Sequence, residues 1–312
     1  MFVELYAQTD VGRVRQGNED NFLVLDLASG ESWSGSDEAR EPPEKIRRFE
    51  VGSEGLVLIV SDGMGGALAG DVASRMAVES VREMLTEEDS EHKTDPQGAR
   101  VALVDCLCNA TGYANYAIHR KSLEDPRCSG MGATLTAAAI SGNSMDFVQV
   151  GDSRAYVIRG DEIKLATKDQ SLVQQLVDVG QITEEDAETH MFRNVILQAL
   201  GAQSDLTPVV SRVRLQRGDI MLLCSDGLSG KMRAEEMLQI VVSNDGDLAA
   251  ACDALVNEAN RRGGEDNITV VLARFDGADL AAPAPEPITV ELAALEDDKT
   301  LPGMDDDTSP LP

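Results

Sequence analysis

Two short stretches of the chain carry an apolar run directly into an aspartate that is followed by glycine. They are VLIVSDGMGG at residues 57–66 and IMLLCSDGLSG at residues 220–230. An ionised carboxylate at the end of a buried strand is costly unless a cation, a proton or hydrogen bonds compensate it. A chain that makes this arrangement twice requires a fold in which strand ends meet at a shared polar opening.

The pattern of apolar residues predicts an α+β fold, with one domain over residues 1–276. Turns as short as GDSR at Gly151–Arg154 favour antiparallel pairing between successive strands. Helices are predicted over Asp71–Leu85, Ala99–Arg120 and Leu248–Arg261. The strongest strand signals are Gly55–Ser61, Ala133–Ile140, Met145–Val150, Ala155–Arg159, Asp219–Ser225 and Asn267–Phe275.

Three further segments lie outside this pattern. Residues 31–54 are polar and contain Pro42 and Pro43, which predicts a surface insertion loop. Residues 170–198 form a long excursion between strands, with Thr183 placed to cap a helix, and are interpreted as a flap. Residues 277–312 hold six of the eleven prolines and nine acidic residues against one lysine, which predicts a disordered tail. This tail is either a passive solubilising segment or a kinase target at Thr300, Thr308 and Ser309.

Composition excludes several classes of function. The formal net charge of −28 argues against binding to nucleic acid or to an anionic membrane. No apolar run is long enough for a membrane helix, and the N-terminal residues lack the pattern of a secretory signal. Five cysteines without a Cys-x-x-Cys pair predict reduced thiols in a cytoplasmic protein.

Acidic residues recur at the predicted strand ends, in the stretches RQGNEDNF, VSDGMGG, CSDGLSG and GGEDNITVV. Each stretch alone is an ordinary turn or strand start. If the four stretches meet, their aspartates form a carboxylate cluster that needs cations to stay ionised. Oxygen ligands favour Mg²⁺ or Mn²⁺, and none of the three histidines has a zinc-binding spacing. The aspartates are Asp20, Asp62, Asp226 and Asp266.

Such a cluster fits hydrolysis of a phosphate ester by a water that two divalent ions activate. Arg15 lies close to Glu19 in the sequence and could hold the phosphate by a two-point contact, or it could simply be a surface arginine beside excess acid. Other phosphate chemistry fits less well, because the chain has neither a cysteine-phosphatase loop nor a nucleotide-binding Gly-x-x-x-x-Gly-Lys motif.

Seven stretches, in order, resemble the protein phosphatase 2C family of metal-dependent serine/threonine phosphatases, in its compact bacterial form. The resemblance covers about residues 5–275 and implies a four-layer α-β-β-α sandwich, in which helix pairs flank two antiparallel sheets. The stretches are TDVGRVRQGNEDNF, VSDGMGGALAGDVAS, GMGATLTAAAI, VQVGDSRAYVIRG, TKDQSLVQQLVDVGQIT, GDIMLLCSDGLSGKM and GGEDNITVVLARF.

The resemblance also implies roles for single residues around a pair of Mn²⁺ or Mg²⁺ ions. It makes Asp62 the bridging ligand, Gly63 a backbone-carbonyl ligand, and Arg15 the phosphate clamp. Asp152 matches the residue that helps to hold a weaker third ion in bacterial relatives, although it could be an ordinary turn aspartate. The remaining implied ligands are Asp226 and Asp266 for one ion, and Asp20 with Glu19, acting largely through water, for the other.

Two positions depart from the family pattern. Met64 stands where eukaryotic members have a histidine proposed as the general acid, so a metal-bound water is the expected proton donor. Ala67 replaces a histidine common in bacterial relatives. The expected substrates are phosphorylated proteins, among them a serine/threonine kinase or its substrates, and the expected state is a monomer. The alternatives are an inactive phosphoprotein-binding pseudophosphatase and a calcium-binding structural protein, although the chain lacks the calcium loop of the EF-hand.

Overall fold

A computed structural model describes residues 1–37, 41–66, 69–87, 101–284 and 286–293 of the chain. Its strands are β1 (Phe2–Asp10), β2 (Asp20–Asp26), β3 (Ser32–Ser34), β4 (Arg48–Glu50), β5 (Leu56–Met64), β6 (Gly132–Ala133), β7 (Leu135–Ser141), β8 (Ser144–Val150), β9 (Arg154–Arg159), β10 (Glu162–Leu165), β11 (Val209–Arg214), β12 (Ile220–Cys224), β13 (Ile268–Asp276) and β14 (Glu291–Ala293). Its α-helices are α1 (Glu44–Arg47), α2 (Ala69–Thr86), α3 (Leu103–Glu124), α4 (Leu172–Asp178), α5 (Glu184–Thr189), α6 (Asp226–Ser229), α7 (Ala234–Ser243) and α8 (Leu248–Arg261).

The strands form two antiparallel sheets. One sheet has six strands in the order β10-β9-β12-β13-β1-β4. The other has eight, in the order β14-β11-β8-β7-β5-β2-β3, with β6 paired to β5 beside that path. Helices α2 and α3 pack on the outer face of the eight-stranded sheet, and α7 and α8 pack on the outer face of the six-stranded sheet. The predicted α-β-β-α sandwich is therefore confirmed.

The continuous apolar runs noted in the sequence are strands that are buried on both faces. In β5, Leu56, Leu58 and Val60 belong to the core between the sheets, whereas Val57 and Ile59 face α2 and α3. Strand β12 divides in the same way between the inner core and the layer of α7 and α8. Side chains alternate across a strand, so a strand covered on both faces must be apolar at every position.

Most of the predicted elements are confirmed, with shifts of a few residues at their ends. Helix α8 has the predicted bounds, and Asp247 caps it by accepting a hydrogen bond from the Ala250 amide at 3.0 Å. The predicted start of the second helix, at Ala99, lies outside the described residues. Strand β1 was missed, although its alternation of buried Val3, Leu5 and Ala7 is the usual strand signal.

The interpretation of residues 31–54 as a surface loop is wrong. The described part of this segment contains β3, α1 and β4, and β4 pairs with β1 at the edge of the six-stranded sheet. Trp33, Ile46 and Val51 are buried in the core between the sheets. These three apolar residues are too widely spaced along a polar segment to form a recognisable strand or helix pattern.

The predicted boundary of the disordered tail is also wrong. Residues 277–284 and 286–293 continue the fold, and Leu280 and Ile288 are buried in the core between the sheets. Strand β14 then pairs with β11 at the edge of the eight-stranded sheet. Thr300, Thr308 and Ser309 lie outside the described residues. We call the two described stretches, residues 277–284 and 286–293, the C-terminal strap.

None of the helices in the described part of the chain is both long and apolar enough to span a bilayer.

Candidate metal centre

The candidate centre lies where the two sheets come together at the ends of their middle strands. Asp20 begins β2 and is the register partner of Asp62 near the end of β5. Asp226 is the first residue of α6 and lies two residues after the end of β12, and Asp266 lies two residues before the start of β13. Because β12 and β13 belong to the other sheet, the four aspartates come from both sheets.

Asp20 is tied to the opposite sheet by two hydroxyl groups. Its Oδ2 accepts hydrogen bonds from Ser225 Oγ and Thr269 Oγ1, both at 2.7 Å. Burial nevertheless raises the pKa of Asp20 to about 7, although these two hydrogen bonds act in the opposite direction. Sequence reasoning missed Ser225 and Thr269. The only available signal for Ser225 was its place in the repeated Ser-Asp-Gly.

Asp62 is fixed through its backbone by Thr134. Its amide donates to Thr134 Oγ1 at 2.9 Å, and its carbonyl accepts from the Thr134 amide at 2.8 Å. The pKa of Asp62 is raised well above its ordinary value, first by burial and then by repulsion from Asp20, Asp226 and other nearby aspartates. Since the charge of Asp226 is one of those that raise the pKa of Asp62, the two neighbouring carboxyls need a proton or a cation in order to lie close together.

Two glycines allow the elements of the centre to approach closely. A Cβ at Gly63 would collide with the carbonyl oxygen of Gly70, and a Cβ at Gly227 would collide with the carbonyl oxygen of Asn267. The Gly63 amide donates to the carbonyl of Glu19 at 3.1 Å, which joins two of the predicted ligand residues. The glycine after each aspartate is thus a packing requirement as well as a turn signal.

Asn267 holds the loop before β2. It lies in the GGEDNITVV stretch, but the sequence predicted no role for it. Its Oδ1 accepts from the Glu19 amide at 2.8 Å, and its Nδ2 donates to the carbonyls of Val11 and Gly17 at 2.9 and 3.0 Å. Glu19 is consequently placed beside the cluster, and burial raises the pKa of its carboxyl. Asn267 fixes the loop that carries both Glu19 and Arg15.

Arg15 reaches the mouth of the centre and is already paired there. Its Nη2 donates to Asp266 Oδ2 at 2.9 Å, and the two side chains are 48% and 38% exposed. The guanidinium therefore lies within contact of a predicted ligand, where an incoming anion would also meet it. The sequence left open whether Arg15 is a surface arginine paired with an acid or a residue of the centre. It is both, because the acid with which it pairs is Asp266, a predicted metal ligand.

Asp152 joins the cluster from the turn between β8 and β9. Burial raises its pKa to about 8, with a second contribution from repulsion by Asp226. The flap, residues 170–198, begins beside this turn and contains α4 and α5. The predicted cap is confirmed, because Thr183 Oγ1 accepts from the Asp186 amide at 3.1 Å at the start of α5.

The donor set fits a hard divalent cation. Three carboxylate oxygens, Asp20 Oδ1, Asp152 Oδ1 and Asp226 Oδ1, are buried without a hydrogen-bond partner among the described residues. Such atoms are rare unless a ligand completes them. Within the described ranges, no three acidic, cysteine or histidine side chains already form a metal cage. Carboxylate movement or water would therefore have to complete each coordination shell. Ala67, one of the two departures from the family pattern, lies outside the described residues.

Comparison with known proteins gives a consistent result. The sequence pattern of the family described as Protein phosphatase 2C matches residues 45–273. Serine/threonine phosphatase stp of Listeria monocytogenes serotype 4b is 34% identical over 269 residues, covering 86% of this chain and 94% of that protein. Protein phosphatase PhpP of Streptococcus pneumoniae serotype 2 is 38% identical over 279 residues, covering 89% and 99%.

Solved structures give the same result. The crystal structure of the Mycobacterium tuberculosis serine/threonine phosphatase PstP/Ppp has a TM-score of 0.69 and 33% identity, covering 89% of this chain and all of that one. A structure of the PstP catalytic domain in complex with two manganese ions has a TM-score of 0.67 and 32% identity, covering 88% and 99%.

Proposed function

Because this chain belongs to the protein phosphatase 2C family and is a metal-dependent protein serine/threonine phosphatase, we propose that the aspartate cluster between its sheets is the active site. When bound, two Mn²⁺ or Mg²⁺ ions supply a bridging water of lowered pKa that attacks the phosphorus of phosphoserine or phosphothreonine. The observation that carries the assignment is the set of three buried carboxylate oxygens that have no hydrogen-bond partner among the residues that the structure describes.

We assign the ion-holding roles as the family resemblance implies. Asp62 and the Gly63 carbonyl hold the shared position, Asp226 and Asp266 hold one ion, and Asp20 supports the other. Glu19 acts largely through water, and Asp152 serves a weaker third ion. In support, Asp20, Asp152 and Asp226 each raise the pKa of Asp62, so their charges act on one small volume.

Arg15 is proposed to bind the phosphate. Its present contact with Asp266 holds the guanidinium at the mouth of the centre, and the remaining N–H groups can donate to phosphate oxygens. Met64 ends β5 and has no proton to give, so the leaving oxygen takes its proton from water.

The substitution Asp62→Asn tests the site. It preserves size but removes charge at the shared position. We expect at least a ~100-fold loss of turnover of a phosphothreonine peptide at saturating Mn²⁺, since that position serves both ions. Asp161→Asn, in the exposed turn between β9 and β10, is the matched control and should keep full activity. Near-normal turnover by a folded Asp62→Asn protein would disprove the assignment.

The alternative of an inactive phosphoprotein-binding module is not supported. The relatives are named as phosphatases, and one related catalytic domain was solved with two manganese ions. Every aspartate that the family resemblance implies as a metal ligand is also present in this chain.

Phosphorylated proteins are the substrates of this enzyme class. We propose further that these include a serine/threonine kinase or its targets, that the enzyme is a monomer, and that it works in the cytoplasm. None of the five cysteines, all of which lie within the described residues, forms a disulfide, which is consistent with a reducing compartment. Size-exclusion chromatography with light scattering tests the monomer, and cell fractionation tests the location.

A further inference from the structure

Two glutamines hold the turn that carries Asp152. Gln149 Nε2 donates to the carbonyls of Gly151 and Ser153 at 3.0 and 2.7 Å, and Gln170 connects the same turn to the base of the flap. Gln170 Oε1 accepts a hydrogen bond from the Gly151 amide at 2.9 Å, and the Gln170 amide donates to the Gly151 carbonyl at 2.8 Å. Both polar groups of the Gly151 backbone are therefore bonded to one residue. Gly151 immediately precedes Asp152, so Gln170 is the flap residue that, together with Gln149, fixes the backbone from which the Asp152 side chain projects.

The other end of the Gln170 side chain reaches the chain that follows the flap. Its Nε2 donates to the carbonyl of Thr207 at 3.0 Å, and the Thr207 amide donates to Gln198 Oε1 at 3.1 Å. The Gln170 carbonyl accepts from the Leu197 amide at 2.8 Å, next to a bridge between Ser171 and Ile196. Gln170 thus joins the first and last residues of the flap to the Asp152 turn.

A second contact runs parallel to the first. Asp169 accepts two hydrogen bonds from Arg154 Nε, at 3.1 and 3.0 Å, and one from Arg154 Nη2 at 2.7 Å. The Asp169 side chain is only 8% exposed, so water screens this pair little. Asp169 therefore binds Arg154, which follows Asp152 in the chain, and Gln170 binds Gly151, which precedes it.

This arrangement makes the flap base and the Asp152 turn a single mechanical unit. A displacement of Gln170 must either carry Gly151 with it or break the hydrogen bonds between them. Asp152 Oδ1 is buried and has no hydrogen-bond partner in the described part of the chain. A small shift of this turn therefore changes the position at which this oxygen could bind a cation.

We propose that Gln170 is a positioning residue that couples the flap to the weaker ion site at Asp152. This inference rests on the proposed function, because it takes Asp152 as a metal ligand. The coupling is reciprocal, so a phosphoprotein that orders the flap also tightens the weak ion, and the ion in turn orders the flap.

The test uses Gln170→Met in the full chain, because methionine keeps the length of the side chain and removes its polar atoms. Titration calorimetry with Mn²⁺ alone should show the weakest site about tenfold weaker, as is typical when a residue supporting a metal ligand is lost. The tighter sites should stay within about twofold. Hydrogen exchange at the Gly151 amide should also become faster.

Gln175→Met is the matched control, since Gln175 is an exposed glutamine in α4 of the same flap. It should leave all Mn²⁺ affinities unchanged. If Gln170→Met does not fold, Arg154→Lys gives the same test, because lysine keeps the charge and loses the two-point contact with Asp169.

An unchanged weak site in a folded Gln170→Met or Arg154→Lys protein would overturn the coupling and leave the proposed function intact. A wild-type protein that turns over phosphopeptide but binds no weak ion would overturn it as well. Failure of the proposed function is recognised separately, by near-normal phosphopeptide turnover in a folded Asp62→Asn protein.

Discussion

The hydroxyl of Ser225 donates a 2.7 Å hydrogen bond to Asp20 Oδ2 and so joins the end of β12 in one sheet to the start of β2 in the other. Ser225 is fully buried, and its hydroxyl also accepts from the Thr269 amide at 3.0 Å. This contact fixes the spacing of the two sheets at the point where the aspartates converge. The centre therefore depends on hydroxyl groups that are not themselves predicted ligands.

Removing the two hydroxyls should weaken ion binding without destroying the fold. We expect the double variant Ser225→Ala with Thr269→Val to bind Mn²⁺ about tenfold more weakly, because Asp20 loses the donors that favour its charged form. Excess Mn²⁺ should restore most of the activity. Calorimetry measures the affinity, and Ser243→Ala at an exposed helix end is the control. Unchanged Mn²⁺ affinity in the double variant would contradict this role.

Stabilisation by Mn²⁺ should grow as the pH rises. Burial raises the pKa of Asp20 to about 7 and that of Asp152 to about 8, so without ions the folded chain holds these protons more tightly than the unfolded chain. The stability due to these groups is complete below their ordinary pKa and is lost as the pH rises through the raised values. The deprotonated carboxylates are the form that binds ions.

Thermal unfolding with and without millimolar Mn²⁺ should therefore show a gain in melting temperature that is several degrees larger at about pH 8 than at about pH 6. EDTA should reverse the gain. An equal gain at both pH values would show that ion binding does not displace these protons.

Gly227 should tolerate no side chain. A Cβ there would collide with the backbone carbonyl of Asn267, and neither element can move without disturbing Asp226 or Asp266. We expect Gly227→Ala to lower the free energy of unfolding by about 2 kcal/mol or more. Gly112→Ala is the control, since that glycine lies in α3 with open space around it and should gain about 0.5–1 kcal/mol. Urea unfolding measures both, and a neutral Gly227→Ala protein would contradict the packing described here.

The C-terminal strap should be part of the folded domain. A chain ending at Asp276 loses the buried Leu280 and Ile288 together with β14, and should be less stable by about 3 kcal/mol or more. A chain ending at Ala293 keeps these contacts and should match the full chain within about 0.5 kcal/mol. Equal stability of the two truncated chains would show that the strap contributes little.

The sequence by itself determined the α+β class, the central strands β5, β7, β8, β9, β12 and β13, and three long helices. It also predicted the acidic residues Asp20, Asp62, Asp226 and Asp266 of the candidate centre, because each of these follows from a local pattern. Alternation and apolar runs report burial over a few residues, and the Asp-Gly signals mark where the strands end. The motifs further sufficed for the family, since seven of them occur in order along the chain.

Only the tertiary structure decided which residues hold the centre together. Ser225 meets Asp20, Asn267 supports Glu19, and Gln170 grips Gly151 across distances along the chain that no local pattern records. The tertiary structure also decided that the strap is folded. Its proline-rich, acidic composition predicts disorder, but Leu280 and Ile288 are buried in the core between the sheets. The physical reason is that burial and hydrogen bonding depend on which elements pack together, and average composition does not encode that packing.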